Sequence, residues 1–193
     1  MKKKGDRLSA LRPEVRKKIS DLLQDIDKSI DVLYEIATTD EKTGLYNYQY
    51  FKAHFSQEFE KAKRGQSLSL LILDLDKFKK LNDTYGHITG DRILEHLGKL
   101  LRKQTRKADI AARFGGEEFI IIFPNTSLEK AYKVSERIRK AVEGDKLIKK
   151  YKLTISGGVT CYKKDDTISK IKQRADKALY KAKEGGRNFI EAS

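Results

Sequence analysis

Arg113-Phe114-Gly115-Gly116-Glu117-Glu118-Phe119-Ile120-Ile121-Ile122-Phe123 is the stretch on which the fold turns. Two glycines between apolar flanks read as a tight hairpin turn, because both turn positions favour positive φ. Ile120 to Phe123 is apolar without a break and too short for a helix. It reads as a strand buried on both faces. The turn then delivers Glu117 and Glu118 to the end of a central strand, beside backbone that carries no side chain to obstruct a ligand. Two carboxylates placed there repel each other unless a cation or a proton sits between them. A hard divalent metal with a phosphate substrate is the economical reading.

Upstream, Ser67 to Asp76 (S-L-S-L-L-I-L-D-L-D) reads as a second buried strand, ending in two aspartates. Carboxylates at the end of a buried strand are costly without partners. Lys77 to Asp83 starts a helical turn whose free amides and lysines suit phosphate. Tyr85-Gly86-His87 breaks it, with His87 read as a capping or packing residue. A helix is expected from about Gly90 to Thr105, a short strand over Ile110 to Phe114, and a helix over Leu128 to Val142 with Ala131, Val134, Ile138 and Ala141 inward. A strand follows over Leu153 to Val159, where Gly157-Gly158 marks a bulge or a close backbone approach. A helix over Ile168 to Lys183 and an edge strand over Asn188 to Glu191 complete the chain. Strand, helix, hairpin, helix, strand is the split βαβ pattern. It predicts an α+β, ferredoxin-like antiparallel sheet with helices on one face, in which Asp74 meets Glu117.

Before the sheet, Asp40 to Asn47 reads as a turn and an N-cap. The helix after it runs to about Arg64, with Phe51, Phe55 and Phe59 as core and Gly65 as its stop. Earlier still, Pro13 opens a helix. Ile19, Ile26 and Leu33 recur every seven residues, as do Leu22, Ser29 and Ile36, and Leu23, Ile30 and Ala37. That is a coiled-coil seam widened by a third stripe, and it favours pairing with a second chain over folding back. Residues 1–12 are basic and polar and are expected to fray. The chain thus divides into a basic segment with a dimerisation helix (1–37) and a globular domain (38–193).

The net charge is +14. Residues 1–39 hold nine Lys+Arg and seven Asp+Glu, 9 − 7 = +2, so +12 belongs to the globular part. Anionic ligands follow, with nucleotides favoured over nucleic acid because no helix-turn-helix, zinc or aromatic RNA-binding signature is present. The single cysteine, Cys161, fits a reducing, cytoplasmic setting. No stretch approaches the roughly 20 apolar residues of a membrane span.

These motifs together resemble a known family. D-x-x-T-G-L-x-N (40–47), L-D-L-D-K-F-K-K-L-N-D-T-Y-G-H-I-T-G-D (73–91), R-F-G-G-E-E-F (113–119) and A-D-K-A-L-Y-K-A-K-E-G-G-R-N (175–188) resemble the GGDEF-domain diguanylate cyclases, here with GGEEF. The resemblance implies a nucleotidyl-cyclase-like fold. It also implies a homodimer that condenses two GTP into cyclic di-GMP and two pyrophosphates. Asp74, Glu117 and the carbonyl of Leu75 would hold Mg²⁺ or Mn²⁺. Glu117 and Lys79 would be catalytic, Glu117 taking the 3′-hydroxyl proton. Asn82 and Asp91 would bind guanine. Lys77, Phe78, Lys79, Gly115, Gly116, Lys183 and Arg187 would line the triphosphate. Arg106, Asp109 and Arg137 would form a product-inhibition site. Two rivals share these motifs: a silent cyclic di-GMP-binding effector, and a mixed-purine cyclic dinucleotide synthase. Intact GGEEF with Asp74 disfavours the first, and Asp91, an acceptor for guanine's N1 and N2 donors, disfavours the second.

Overall fold

The strand β1 (Leu68–Leu75) is buried at every position and forms the axis of a five-stranded sheet. The computed structural model describes residues 11–193, so most of the basic start of the chain lies outside the described residues. The sheet order is β2 (Ile110–Gly115), β3 (Glu118–Pro124), β1, β4 (Ile155–Cys161) and β5 (Ile190–Ala192). β1 is antiparallel to both β3 and β4, and only the edge strand β5 runs parallel to its neighbour. The register sets Leu70 opposite Ile122, Ile72 opposite Ile120 and Asp74 opposite Glu118.

Helices cover both faces of the sheet, where one covered face was expected. Leu71, Leu73 and Leu75 join Phe119, Ile121 and Phe123 in a core with Leu81 of α3 (Phe78–Tyr85), Ile93 and Leu97 of α4 (His87–Gln104) and Ile138 of α5 (Leu128–Gly144). On the other face Leu70, Ile72, Ile120 and Ile122 meet Phe51, Phe55 and Phe59 of α2 (Tyr48–Lys63) and Ile171, Ala175 and Leu179 of α7 (Ile168–Glu184). The reason lies in β1 and β3 themselves. Their apolar runs have no polar alternation, so neither face tolerates water. Phe51, Phe55 and Phe59 fall one turn apart, and Asn47 caps their helix by accepting from the Tyr50 amide at 2.9 Å.

The hairpin departs from a two-glycine turn. Only Gly116 has positive φ, and the β2–β3 register shifts between Arg113 and Gly115. A bulge thus supplies the twist assigned to the second glycine. At β4 the pairing with β1 is continuous, so Gly158 marks a close approach. A Cβ there would lie 2.0 Å from the Ala175 carbonyl oxygen and 2.3 Å from the Leu179 amide, and α7 backbone cannot yield as a side chain could.

Several boundaries move. α4 starts at His87, three residues before Gly90, because Gly86 already makes the break at φ 80°. His87 is exposed and opens that helix without capping it. Val142, not Ala141, completes the buried stripe of α5. A short helix, α6 (Lys146–Lys150), was not expected; Asp145 caps it by accepting from the Leu147 and Ile148 amides. The strand read as Leu153 to Val159 is shifted to Ile155–Cys161.

Packing divides the chain into a unit that ends at Thr38 and a unit over Thr39–Ser193. The first contains α1 (Pro13–Thr38), along which Leu22, Leu23, Ile26, Ile30, Leu33 and Ile36 are exposed. No helix of the described residues is long and apolar enough to cross a membrane.

Candidate active site

Four charged groups meet where β1 ends. Asp74 is 7% exposed, and its carboxylate accepts from Lys183 Nζ of α7 at 2.7 Å. Its directly opposed strand neighbour is Glu118 rather than Glu117. The Glu117 carbonyl accepts from the Leu75 amide at 3.2 Å, which brings the GGEE turn alongside the last residue of β1. Burial pushes the Asp74 carboxyl above its ordinary range. Lys183 opposes that rise, and the charges of Glu117 and Asp76 add to it. Burial also raises Glu118; Asp74, Asp176 and Glu117 reinforce the shift and Lys183 opposes it. A crowd of half-buried carboxylates with one ammonium lacks positive charge.

A divalent cation fits that deficit. The donors are carboxylate and carbonyl oxygens, which suit Mg²⁺ or Mn²⁺ better than soft metals. Among the described residues no three His, Cys, Asp or Glu side chains form a closed metal cage. Mg²⁺ needs none, since it ordinarily takes one or two carboxylates and completes its shell with water and substrate phosphate.

The second aspartate of the strand has a different job. Asp76 is 2% exposed and accepts from Thr154 Oγ1 (2.7 Å), Ser156 Oγ (2.8 Å) and the Asn188 amide (3.2 Å). These bonds tie the end of β1 to β4 and to the turn after α7. The L-D-L-D pattern does not tell the two aspartates apart; partners from two distant segments do.

Beyond β1, Lys77 adopts the left-handed conformation (φ 60°) as N-cap of α3, and Phe78 is buried as its first residue. Lys77 and Lys79 are exposed, consistent with a phosphate-facing edge. Asn82 lies against Gly90, where a Cβ would fall 2.0 Å from Asn82 Oδ1. That contact sets Asn82 against the first turn of α4, in which Asp91 follows Gly90. Asn82 Oδ1 is buried with no hydrogen-bond partner. An orphaned buried acceptor costs about 1–3 kcal/mol, which a ligand donor would recover. Asp91 is already engaged by Lys42, whose Nζ donates to both carboxylate oxygens at 2.7 and 2.9 Å. Sequence reading did not single out Lys42; the pair spans 49 positions and follows no periodicity.

Lys183 and Arg187, both expected at the triphosphate, stand four positions apart at the end of the last helix. Lys183 is in the last turn of α7, but Arg187 lies beyond its end at Glu184, with φ 67°. Gly185-Gly186 breaks the helix between them, and Arg187 is exposed. Arg113, quoted with the turn, was given no role by the sequence reading. It donates to the Gly116 carbonyl at 3.0 and 2.7 Å and pairs with Asp40 at 3.3 Å, fixing the GGEE turn to the Asp40–Asn47 loop.

At the other end of β2, Asp109 is buried and accepts from the Arg106 backbone amide at 2.8 Å. Burial raises the Asp109 carboxyl, while that amide and the charges of Arg106 and Arg137 oppose the rise. Arg137 donates to the Gln104 carbonyl at 2.7 Å. Arg106-x-x-Asp109 is therefore a closed turn with an exposed guanidinium, beside Arg137. The six residues of β2 put it on the order of 20 Å from the GGEE turn.

The chain is similar to known proteins over most of its length. Residues 37–189 match the family model described as "Diguanylate cyclase, GGDEF domain". Diguanylate cyclase A of Treponema denticola is 44% identical over 169 residues, which cover 83% of this chain and 46% of that protein. Response regulator PleD of Caulobacter vibrioides is 37% identical over 91% of this chain and 39% of its own length. The chain thus spans less than half the length of these curated relatives. The solved coiled coil and GGDEF domain of DgcB from Caulobacter crescentus, in complex with c-di-GMP, superposes with a TM-score of 0.82 at 30% identity. That match covers 93% of this chain and 98% of the other. The active GGEEF domain of a diguanylate cyclase from Vibrio cholerae matches with a TM-score of 0.72 at 37% identity, over 76% of this chain and 96% of the other.

Proposed function

The chain belongs to the GGDEF-domain family, and from that premise we propose that it condenses two GTP into cyclic di-GMP and two pyrophosphates as a homodimer. The observation that carries the reading is the meeting of Asp74 with the GGEE turn at the end of β1, under-neutralised and open to a cation. Asp74, Glu117 and the carbonyl of Leu75 would hold Mg²⁺ or Mn²⁺. When bound, the ion lowers the pKa of the attacking hydroxyl and stabilises charge on the α-phosphate.

The protein's own residues do the rest. Glu117 accepts the 3′-hydroxyl proton. Lys79, the Lys77 and Phe78 amides and the side-chain-free Gly115 and Gly116 cradle phosphate at the helix start. Lys183 and Arg187 balance charge on the departing pyrophosphate. Lys183 donates to Asp74 at 2.7 Å, which holds its ammonium at the same end of β1. Asn82 Oδ1 and Asp91 accept from guanine's donors. Each chain carries one such half-site, and attack needs a second GTP facing the first. The exposed apolar stripe of α1 is the surface that pairs two chains.

Purified chain given GTP and Mg²⁺ is expected to release cyclic di-GMP and pyrophosphate in a 1:2 ratio, with specific activity rising with protein concentration. A mixed dinucleotide from GTP and ATP, or no product under any metal, would contradict the reading.

Feedback control belongs to the same proposal. Arg106, Asp109 and Arg137 form the inhibitory site, since guanidinium forks suit the phosphates and guanine edges of a cyclic dinucleotide. Arg106→Ala is expected to weaken inhibition by added cyclic di-GMP at least tenfold, read as the inhibitor concentration halving turnover. An unchanged inhibition curve would remove the site.

A further inference from the structure

We propose that Lys42 is a plug on the base-reading carboxylate: its ammonium holds Asp91 until guanine displaces it, and so sets the affinity for GTP. The inference rests on the assignment of Asp91 to guanine made above, and adds a residue of this chain that competes with the base.

The geometry points to competition. Lys42 Nζ is nearly equidistant from both oxygens of Asp91, at 2.7 and 2.9 Å, and therefore sits in the mouth of the carboxylate fork. A purine that donates through N1–H and N2–H needs the same two oxygens at the same time. Both ligands cannot use the fork together.

The root of Lys42 is anchored, so the pair is not a chance encounter of two mobile side chains. The Asp40 carboxylate accepts from the Thr43 amide at 2.9 Å and from Thr43 Oγ1 at 2.8 Å. The Gly44 amide closes the turn on the Asp40 carbonyl at 2.8 Å. Thr43 packs on Gly98 of α4, where a Cβ would come 2.2 Å from the Thr43 carbonyl oxygen. The turn that carries Lys42 is thereby docked on the helix that carries Asp91. Four carbons of side chain cover the remaining distance.

The plug is weak enough to be displaced. The side chains of Lys42 and Asp91 are 42% and 48% exposed. Exposed pairs of this kind shift equilibria by at most about fivefold. Asn82 Oδ1, unpartnered against Gly90, offers guanine an acceptor that the ammonium does not use. Guanine therefore wins at saturation, and Lys42 is felt as a raised KM with no effect on the committed complex.

Lys42→Met keeps the length of the side chain and removes its charge. It is expected to lower the KM for GTP two- to fivefold at low salt with kcat within twofold, and to lower the GTP dissociation constant by the same factor in calorimetry. The wild-type to variant ratio should fall towards one as salt rises, because the exposed pair is screened. In an Asp91→Asn background the substitution should change GTP affinity by less than 1.5-fold. A raised KM in Lys42→Met would make Lys42 a substrate contact and overturn the plug. An unchanged KM and dissociation constant at low salt would overturn it too. GTP binding to Asp91→Asn as tightly as to wild type would instead overturn the assignment of Asp91 to guanine, and the plug with it.

Discussion

Glu117→Gln is expected to cut turnover about 10³-fold while the folded domain survives. Gln has the same shape and keeps the turn, whose conformation depends on Gly116 at φ 50° and on the Arg113 bonds to the Gly116 carbonyl. The backbone bond from the Leu75 amide to the Glu117 carbonyl is likewise independent of the side chain. What is lost is one of the negative charges that draw a cation to the end of β1, together with the acceptor for the 3′-hydroxyl proton. General-base and charge-stabilising roles are each worth 10²-fold or more, so their joint removal leaves little activity. The melting temperature should stay within a few degrees of wild type. Retained turnover with an intact fold would remove Glu117 from the chemistry.

Asp74→Asn is expected to abolish turnover to a similar degree and, in the metal-free protein, to raise the melting temperature by about 2–4 °C at neutral pH. The sign follows from the direction of the shift. Burial raises the Asp74 carboxyl in the folded state. A raised acid contributes stability below its unfolded pKa and loses that contribution as pH rises through its folded value. At neutral pH the ionised carboxylate is thus a liability that Lys183 only partly offsets. A neutral amide removes the liability, and the gain should shrink as pH falls into the ordinary carboxylate range. Turnover of the wild type should fall on the acid side at a higher pH than an ordinary carboxylate would give, since protons compete with the cation for Asp74. Mg²⁺ with GTP should reverse the order of stability, raising the melting temperature of the wild type and not of the variant. A destabilised metal-free variant would contradict the account of Asp74 as a strained, under-neutralised group.

Much of this was readable in the chain because the signals were local. The unbroken runs Leu70 to Leu73 and Ile120 to Phe123 have no polar alternation, and both are central strands buried on each side. The Phe51, Phe55 and Phe59 spacing could only be one helical face. The same unbroken runs already implied two covered faces, and the expectation of one came from the split βαβ pattern overriding them. Pairing across segments was harder to read. Lys42 with Asp91, Arg113 with Asp40, and Asp76 with Ser156 and Thr154 join residues 49 to 80 positions apart. Nothing in the periodicity of either partner announces such bonds. Arg187 lies past the end of α7, as the helix expected to stop at Lys183 implied, and Gly185-Gly186 makes that break. Asp74 was matched to Glu117 one residue out of register. Register depends on the bulge at Arg113–Gly115, which a Gly-Gly pair read as a plain turn conceals.

The most direct test is Mn²⁺ binding followed by electron paramagnetic resonance, with 3′-deoxy-GTP present so that substrate is held without reaction. Wild-type protein should retain Mn²⁺ in a nucleotide-dependent way, and Asp74→Asn and Glu117→Gln should each weaken that retention at least tenfold. Equal Mn²⁺ affinity in all three proteins would contradict the central claim that β1 and the GGEE turn together hold the ion.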